Sequence, residues 1–194
     1  VDYEEIFAPV TRLETVRLLL ALSAKNNWEV HHLDVKTAFL NGDINEEVYV
    51  AQPKGYVKKG QERLVYKLSK ALYGLKQAPR AWYAKLNSCL EKLGFERCPY
   101  DQAVYTRREK GEVLIIVVYV DDLLVTGSSV SDIESFKRQM NSFFEMSDLG
   151  KLTYYLGLEV EQGDGFVELK QSGYAKKVLR HMNAIKRIFR YVKG

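Results

Sequence analysis

Apolar residues recur along the chain with two spacings, one near 3.6 and one near 2, and their alternation lays out the elements. Leu13, Val16, Leu20 and Ser23 are helically spaced behind a T-x-x-E capping box formed by Thr11 and Glu14, which predicts a helix ending near Asn26. Residues 28–35 alternate as a strand, with Val30, His32 and Asp34 on one face and His31, Leu33 and Val35 on the other. Asn41-Gly42 is a turn signal, and short strands are expected at 47–51 and 64–68. Pro79 opens a second helix whose stripe is Trp82, Leu86, Cys89, Leu90 and Leu93, with Gly94 as its stop. Strands at 104–107 and 113–120 flank a turn at Lys110-Gly111. A second capping box, Ser131 with Glu134, starts a helix carrying Ile133, Phe136, Met140 and Phe143. Residues 153–162 and 166–170 form a hairpin through Gly163-Asp164-Gly165. From Ser172 the chain is helical, with Tyr174, Val178, Met182, Ile185 and Phe189 on one side. The pattern predicts an α+β fold, an antiparallel sheet with its helices on one face.

One stretch departs from simple patterning. In VLIIVVYVDDLLVTG, residues 113–127, seven consecutive apolar or aromatic residues precede two adjacent carboxylates, Asp121 and Asp122, and the chain then turns apolar again. The first run has the composition of a buried strand, and residues 123–126 are its hairpin partner. Asp tolerates turn geometry, so a solvated turn is one reading. Asn-Gly and Asp-Gly are the usual tight-hairpin pairs, however, and Asp-Asp is not. Two carboxylates about 4 Å apart repel by roughly 4 kcal/mol at an effective dielectric near 20. A shared proton or a cation relieves that repulsion. Mg²⁺ is suited to a few carboxylates plus substrate phosphates. On these two residues alone the turn and the metal site both stand. A third carboxylate, Asp34, ends the strand in HHLDVKTAFLNG. Placed beside the hairpin, it completes an acidic cluster able to hold two cations about 3.5–4 Å apart, the arrangement that serves nucleotidyl transfer.

Composition changes this picture little. The chain has 194 residues, enough for one sizeable core, and its 29 Lys and Arg against 25 Asp and Glu permit a polyanionic partner without demanding one. Lys58, Lys59, Arg63, Lys67, Lys70, Lys76 and Arg80 form a loose basic series, either a solvated face or a set of phosphate contacts. Arg12 and Arg17 are similar candidates for a triphosphate. Cys89 and Cys98 belong to no Cys/His cluster, which argues against structural zinc and fits a reducing intracellular setting. No apolar run approaches a membrane span. Trp82 and Cys89 are assigned to the helix core, and His31 and His32 to an ordinary strand. The opening VDYEEIFAPV and closing KRIFRYVKG give the chain the character of a fragment.

Three blocks carry a resemblance. YVDD at 119–122, LDVKTAFLNGDINEEVYVAQPKGY at 33–56 and ALYGLKQAPRAWY at 71–83 are similar, in this order, to the reverse transcriptase of copia-class LTR retrotransposons, over about residues 1–179. The resemblance implies a polymerase fingers-and-palm with a ferredoxin-like βαββαβ palm, and RNA-directed DNA polymerase activity. It implies two Mg²⁺ ions, with Mn²⁺ as a substitute, and a primer–template of RNA or DNA with dNTPs as partners. Asp34 matches the first metal-binding aspartate, with the Val35 carbonyl close to the metal. Asp121 matches the second, and Asp122 the acid that accompanies it. Phe39 matches an aromatic steric gate against the 2′-hydroxyl. Tyr73 and Gly74 match the segment under the incoming nucleotide, and Gln77 and Pro79 belong to that block. Tyr154, Tyr155, Leu156 and Gly157 resemble the hairpin that grips the primer end.

Beyond GYAKKVL, the residues RHMNAIKRIFRYVKG at 180–194 resemble the lead-in to an RNase H domain. A thumb-sized stretch separates these parts in the family, so the thumb and the RNase H domain are expected to be missing here. The resemblance places the protein in a cytoplasmic retroelement particle or the nucleus. Two alternatives are carried: a catalytically dead remnant with weak nucleic-acid binding, and a template-free palm enzyme such as a cyclase. The gate block and LYGLKQAP argue against the second.

Overall fold

The computed structural model describes residues 8–193, with side chains through Ile188. In chain order the elements are α1 (Leu13–Asn26), β1 (Val30–Val35), a 3-10 turn (Ala38–Asn41), β2 (Tyr49–Ala51), β3 (Val65–Lys67) and α2 (Ala78–Lys92). Then come β4 (Glu96–Arg97), β5 (Val104–Glu109), β6 (Glu112–Tyr119), β7 (Asp122–Gly127), α3 (Val130–Phe143) and β8 (Met146–Lys151). The chain ends with β9 (Tyr154–Tyr155), β10 (Leu158–Gly163), β11 (Phe166–Lys170) and α4 (Ser172–Lys193). The main sheet has six strands in the order β4-β5-β6-β7-β1-β8, all paired antiparallel. Mixed helix and antiparallel sheet is the expected α+β class.

β6 and β7 are buried almost end to end, so both faces of the sheet need a cover. On one face Trp82, Leu86 and Leu90 of α2 and Ile133, Phe136 and Met140 of α3 pack on Leu33, Val35, Ile116, Val118, Leu123 and Val125. On the other, Val16, Leu19 and Leu20 of α1, with Tyr155 and Val160 from the three-stranded sheet β11-β10-β9, pack on Val30, Val117 and Leu124. The expected placement of all helices on one face is therefore corrected: a two-sided apolar sheet recruits α1 and the second sheet to the far side. The Gln162 side chain fastens that second sheet to β1, accepting from Val30 N–H at 2.9 Å and donating to the Val30 and Leu152 carbonyls.

Three local expectations also change. Thr11 does not cap α1; Arg12 is the N-cap residue, without a side-chain cap, and the buried Thr11 hydroxyl has no partner among the described residues. α3 is capped by Ser129, which accepts from Asp132 N–H at 3.3 Å, two residues before the expected box, because the helix begins as soon as β7 ends. Phe143 is exposed, and its neighbour Phe144 is buried against the Trp82 ring at 5.0 Å. α4 is exposed along its described length, with Tyr174, Val178, Met182 and Ile185 open to solvent; the Phe189 side chain lies outside the described residues. Among the described residues no helix is long and apolar enough to cross a membrane.

β8 carries Ser147, Asp148, Gly150 and Lys151, a polar run without alternation, and is held by pairing with β1 and by a buried cation. Lys137 of α3 donates to Asp148 at 3.0 Å, to Glu134 at 2.8 Å and to His31 Nδ1 at 2.9 Å. Burial alone would depress the Lys137 ammonium, but Glu134 and Asp148 hold it above the usual lysine value. Burial pulls Asp148 up, yet the Gly150 N–H and Lys137 prevail and hold its carboxyl below the usual range. A depressed carboxyl contributes stability above its unfolded pKa and loses it as pH falls through the folded value. A raised ammonium contributes below the usual lysine range and loses it only at more alkaline pH. Lys137→Met is expected to cost about 1–3 kcal/mol at neutral pH, because it strands His31 Nδ1 and two carboxylates. The wild-type advantage should shrink between about pH 5 and pH 3, followed by urea denaturation across that range. A pH-independent difference would mean that packing, not ion pairing, holds β8.

Candidate active site

Strand register brings the acidic residues together. β1 and β7 are antiparallel neighbours, and their pairing runs from Val30 opposite Thr126 to Asp34 opposite Asp122. β6 and β7 form a hairpin in which Tyr119 faces Asp122, so Val120 and Asp121 are its two-residue loop. The Val35 N–H donates to the Asp121 carbonyl at 2.9 Å and ties this loop to the end of β1. Asp34 and Asp122 are half-buried, and Asp121 is exposed. The Asp121 carboxyl is nevertheless held above the usual carboxylate range, first by burial against its neighbours and then by the charges of Asp122 and Asp34.

The loop is strained and braced. Val120 has φ +59°, a left-handed conformation that hairpin loops ordinarily assign to glycine and that a β-branched residue rarely adopts. Such a conformation persists only where its surroundings over-determine it. Trp82, buried in α2, supplies the brace: its indole N–H donates to the Val120 carbonyl at 2.7 Å. The expectation that Trp82 belongs to the helix core holds, and the hydrogen bond adds a task that its apolar spacing did not reveal.

A cleft of about 510 Å³ opens beside the loop, lined by Thr37, Ala38, Phe39, Leu40, Leu72, Tyr73, Val120 and Asp121. The Phe39 and Tyr73 rings lie 5.7 Å apart, and Tyr73 is 84% exposed. Gly74 follows with φ +94°, which a glycine adopts freely. Phe39 sits on the 3-10 turn, whose end is pressed onto α2: a Cβ on Gly42 would meet Trp82 N at 2.7 Å. Behind Phe39 a smaller apolar cavity of about 170 Å³ is lined by Pro9, Val10, Pro79, Trp82 and Val120. Gln77 is elsewhere, in a polar cleft of about 430 Å³ with Asp43, Arg80 and Lys85. Of the basic series, Lys67 is paired with Glu47, and Lys70 with Asp43.

Around Asp122 the sequence reading missed a partner. His32 Nε2 lies 2.6 Å from Asp122 Oδ1. Tyr155, on β9, is buried with its ring edge-on to His32 at 5.7 Å, and its hydroxyl has no hydrogen-bond partner among the described residues. The alternation that put His32 and Asp34 on one face was the available signal. Leu156, with φ +47°, and Gly157, with φ +86°, make the turn from β9 to β10, and Tyr154 is exposed. Among the described residues, the side chains as they stand form no cage of three or more His, Cys, Asp or Glu ligands.

The family model described as reverse transcriptase (RNA-dependent DNA polymerase) matches residues 1–191. The chain is 39% identical over 186 residues to the retrovirus-related Pol polyprotein from transposon TNT 1-94 of Nicotiana tabacum, covering 94% of the chain and 14% of that polyprotein. It is 35% identical over 184 residues to the Pol polyprotein from transposon RE1 of Arabidopsis thaliana, covering 95% of the chain and 13% of that protein. The putative transposon Ty5-1 protein of Saccharomyces cerevisiae is 38% identical over 146 residues, covering 75% of the chain and 47% of that relative. The chain thus spans about one seventh of the plant polyproteins it matches.

Trp82→Phe keeps most of the ring and removes the donor. It is expected to cost about 1–2 kcal/mol in urea denaturation, the price of an unpaired carbonyl in a partly buried site. A fully stable Trp82→Phe protein would show that the strained loop does not need this bond.

Proposed function

Because the chain belongs to the reverse transcriptase family of copia-type transposon Pol polyproteins, we propose that it is the fingers and palm of an RNA-directed DNA polymerase. The observation that carries this reading is the register: Asp34 opposite Asp122, with Asp121 in the adjoining loop, beside a cleft lined by Phe39 and Tyr73. The strand order β6-β7-β1-β8, with α2 and α3 on one face, supports a ferredoxin-like βαββαβ palm, in which β7 lies between β1 and β6. β2 and β3, an exposed two-stranded ribbon, belong to the fingers in this reading.

The donor set fits Mg²⁺, a hard cation that takes one or two carboxylates together with phosphate oxygens and water. Asp34 and Asp121 would hold it, with the Val35 carbonyl nearby; burial is the main cause that raises the Asp121 carboxyl, and the charges of Asp122 and Asp34, which a cation would offset, add to it. When bound, a pair of such ions activates a primer 3′-hydroxyl and stabilises the leaving pyrophosphate. The chain's own part is positioning: the Val35 N–H and the Trp82 indole fix the loop that presents Asp121. Phe39, on the floor of the cleft, crowds the sugar 2′-position. Tyr73 and Gly74 lie under the base, and Tyr154 to Gly157 meet the primer end. Gln77 lines a separate polar cleft and has no place in this one. The second reading is a folded domain that binds nucleic acid weakly and does not catalyse.

Single-nucleotide extension of a labelled primer on an RNA template separates the two. With Mg²⁺ the chain is expected to extend the primer, and the doubly substituted Asp121→Asn, Asp122→Asn protein is not. Extension that survives the double substitution, or none in a folded wild-type protein, sinks the polymerase reading. Phe39→Val is expected to raise ribonucleotide use relative to deoxynucleotide by at least about tenfold in the same assay. An unchanged ratio would remove Phe39 from the gate.

A further inference from the structure

Asp122 has two directions in which to turn. It stands opposite Asp34 on the neighbouring strand, so its carboxylate can face Asp34 and Asp121 or swing along the sheet toward His32, two residues back on β1. Its Oδ1 lies 2.6 Å from His32 Nε2, so one of its two oxygens is engaged along the sheet. A carboxylate can only accept, so a bond of this kind requires an N–H at His32 Nε2. The contact is shielded: the His32 side chain is 14% exposed and that of Asp122 26%. A short hydrogen bond to a charged acceptor, with little water to compete, is among the stronger side-chain contacts. The imidazole is itself held in place. Tyr155 of β9 meets its ring edge-on, and Tyr155 in turn meets Tyr119, the residue before the loop, with ring centroids 6.3 Å apart. Among the described residues the buried Tyr155 hydroxyl has no hydrogen-bond partner, so this ring contributes packing.

We propose that His32 is a positioning residue that turns Asp122 away from the cation site, so that Asp34 and Asp121 carry the metal and Asp122 braces the loop against the β9–β10 hairpin. The inference rests on the polymerase reading and deepens it. It divides the labour of the three acids: two are ligands, and the third is a structural link between the loop and the hairpin that meets the primer.

The test is a double-mutant cycle on Mn²⁺ binding, measured by calorimetry on the chain without nucleic acid. Asp122→Asn is expected to change Mn²⁺ affinity by less than about twofold, whereas Asp121→Asn abolishes binding. His32→Leu frees Asp122 to join the ion and is expected to tighten binding about fivefold; adding Asp122→Asn removes that gain. His32→Gln, which keeps a donor, should bind as wild type does. In primer extension His32→Leu should lower kcat, because the loop that presents Asp121 to the cleft is displaced.

Loss of Mn²⁺ binding in Asp122→Asn equal to that in Asp121→Asn overturns the proposal, as do His32 and Asp122 effects that merely add. Should His32→Leu fail to fold, the Asp122→Asn affinity and the imidazole ¹⁵N spectrum decide. A wild-type spectrum without a proton on Nε2, or one that Asp122→Asn leaves unmoved, is fatal. Absence of Mn²⁺ binding in a wild type that still extends a primer overturns this inference alone, as does binding without coupling, whereas a folded wild type that does not extend overturns the polymerase reading and this inference with it.

Discussion

The pairing of β1 with β7 is the constraint on which the site depends. Side chains alternate across a strand, so a slip of one residue would move Asp34 to the face covered by α2 and α3 and bring Leu33 opposite Asp122. The slip is forbidden by the cores, not by the acids. Leu33 and Val35 fill one core, and Val30 and Leu124 fill the other. Both would be emptied by the same shift. The carboxylates therefore inherit their positions from apolar packing on both sides of the sheet, which explains how a repulsive cluster survives at the end of the two strands.

The loop between β6 and β7 shows the complementary principle. Its first residue is a valine in a conformation suited to glycine, and its second is an aspartate with a raised pKa. Left alone, such a loop would relax. It is held from below by the Trp82 indole, from β1 by the Val35 N–H, and at its next residue by His32. Each restraint comes from a different element, so the loop is ordered only once α2, β1 and β7 have assembled. A strained segment held by several tertiary contacts is a common property of catalytic loops.

The second sheet and the buried lysine extend the same logic outward. Gln162 bonds to both backbone groups of Val30, and Lys137 joins α3 to β8 and to His31. These polar contacts meet β1 at its first residues and on the side where β8 pairs with it. The strand that carries Asp34 is thereby fixed on every side, by β7 and β8 within the sheet and by a core on each face.

The sequence by itself determined the parts whose signal is local. The apolar run of β6, the stripe of α2 with Trp82, and the alternation that puts His32 and Asp34 on one face were all legible, because periodicity survives in the linear chain. So was the neighbourhood of the three carboxylates, since Asp34 closes a strand and Asp121 and Asp122 stand at the turn of a hairpin. Other features were decided only in three dimensions. β8 has no pattern of its own and becomes a strand because β1 offers it a free edge. α1 crosses to the far face because β6 and β7 are apolar on both sides. Phe144 rather than Phe143 turns inward because the chain leaves the helix there to reach β8. The His32–Asp122 bond joins residues 90 positions apart. Hydrophobic spacing specifies which face of an element is buried, but which polar groups then meet depends on register between strands distant in sequence, and that is settled only when the two cores close.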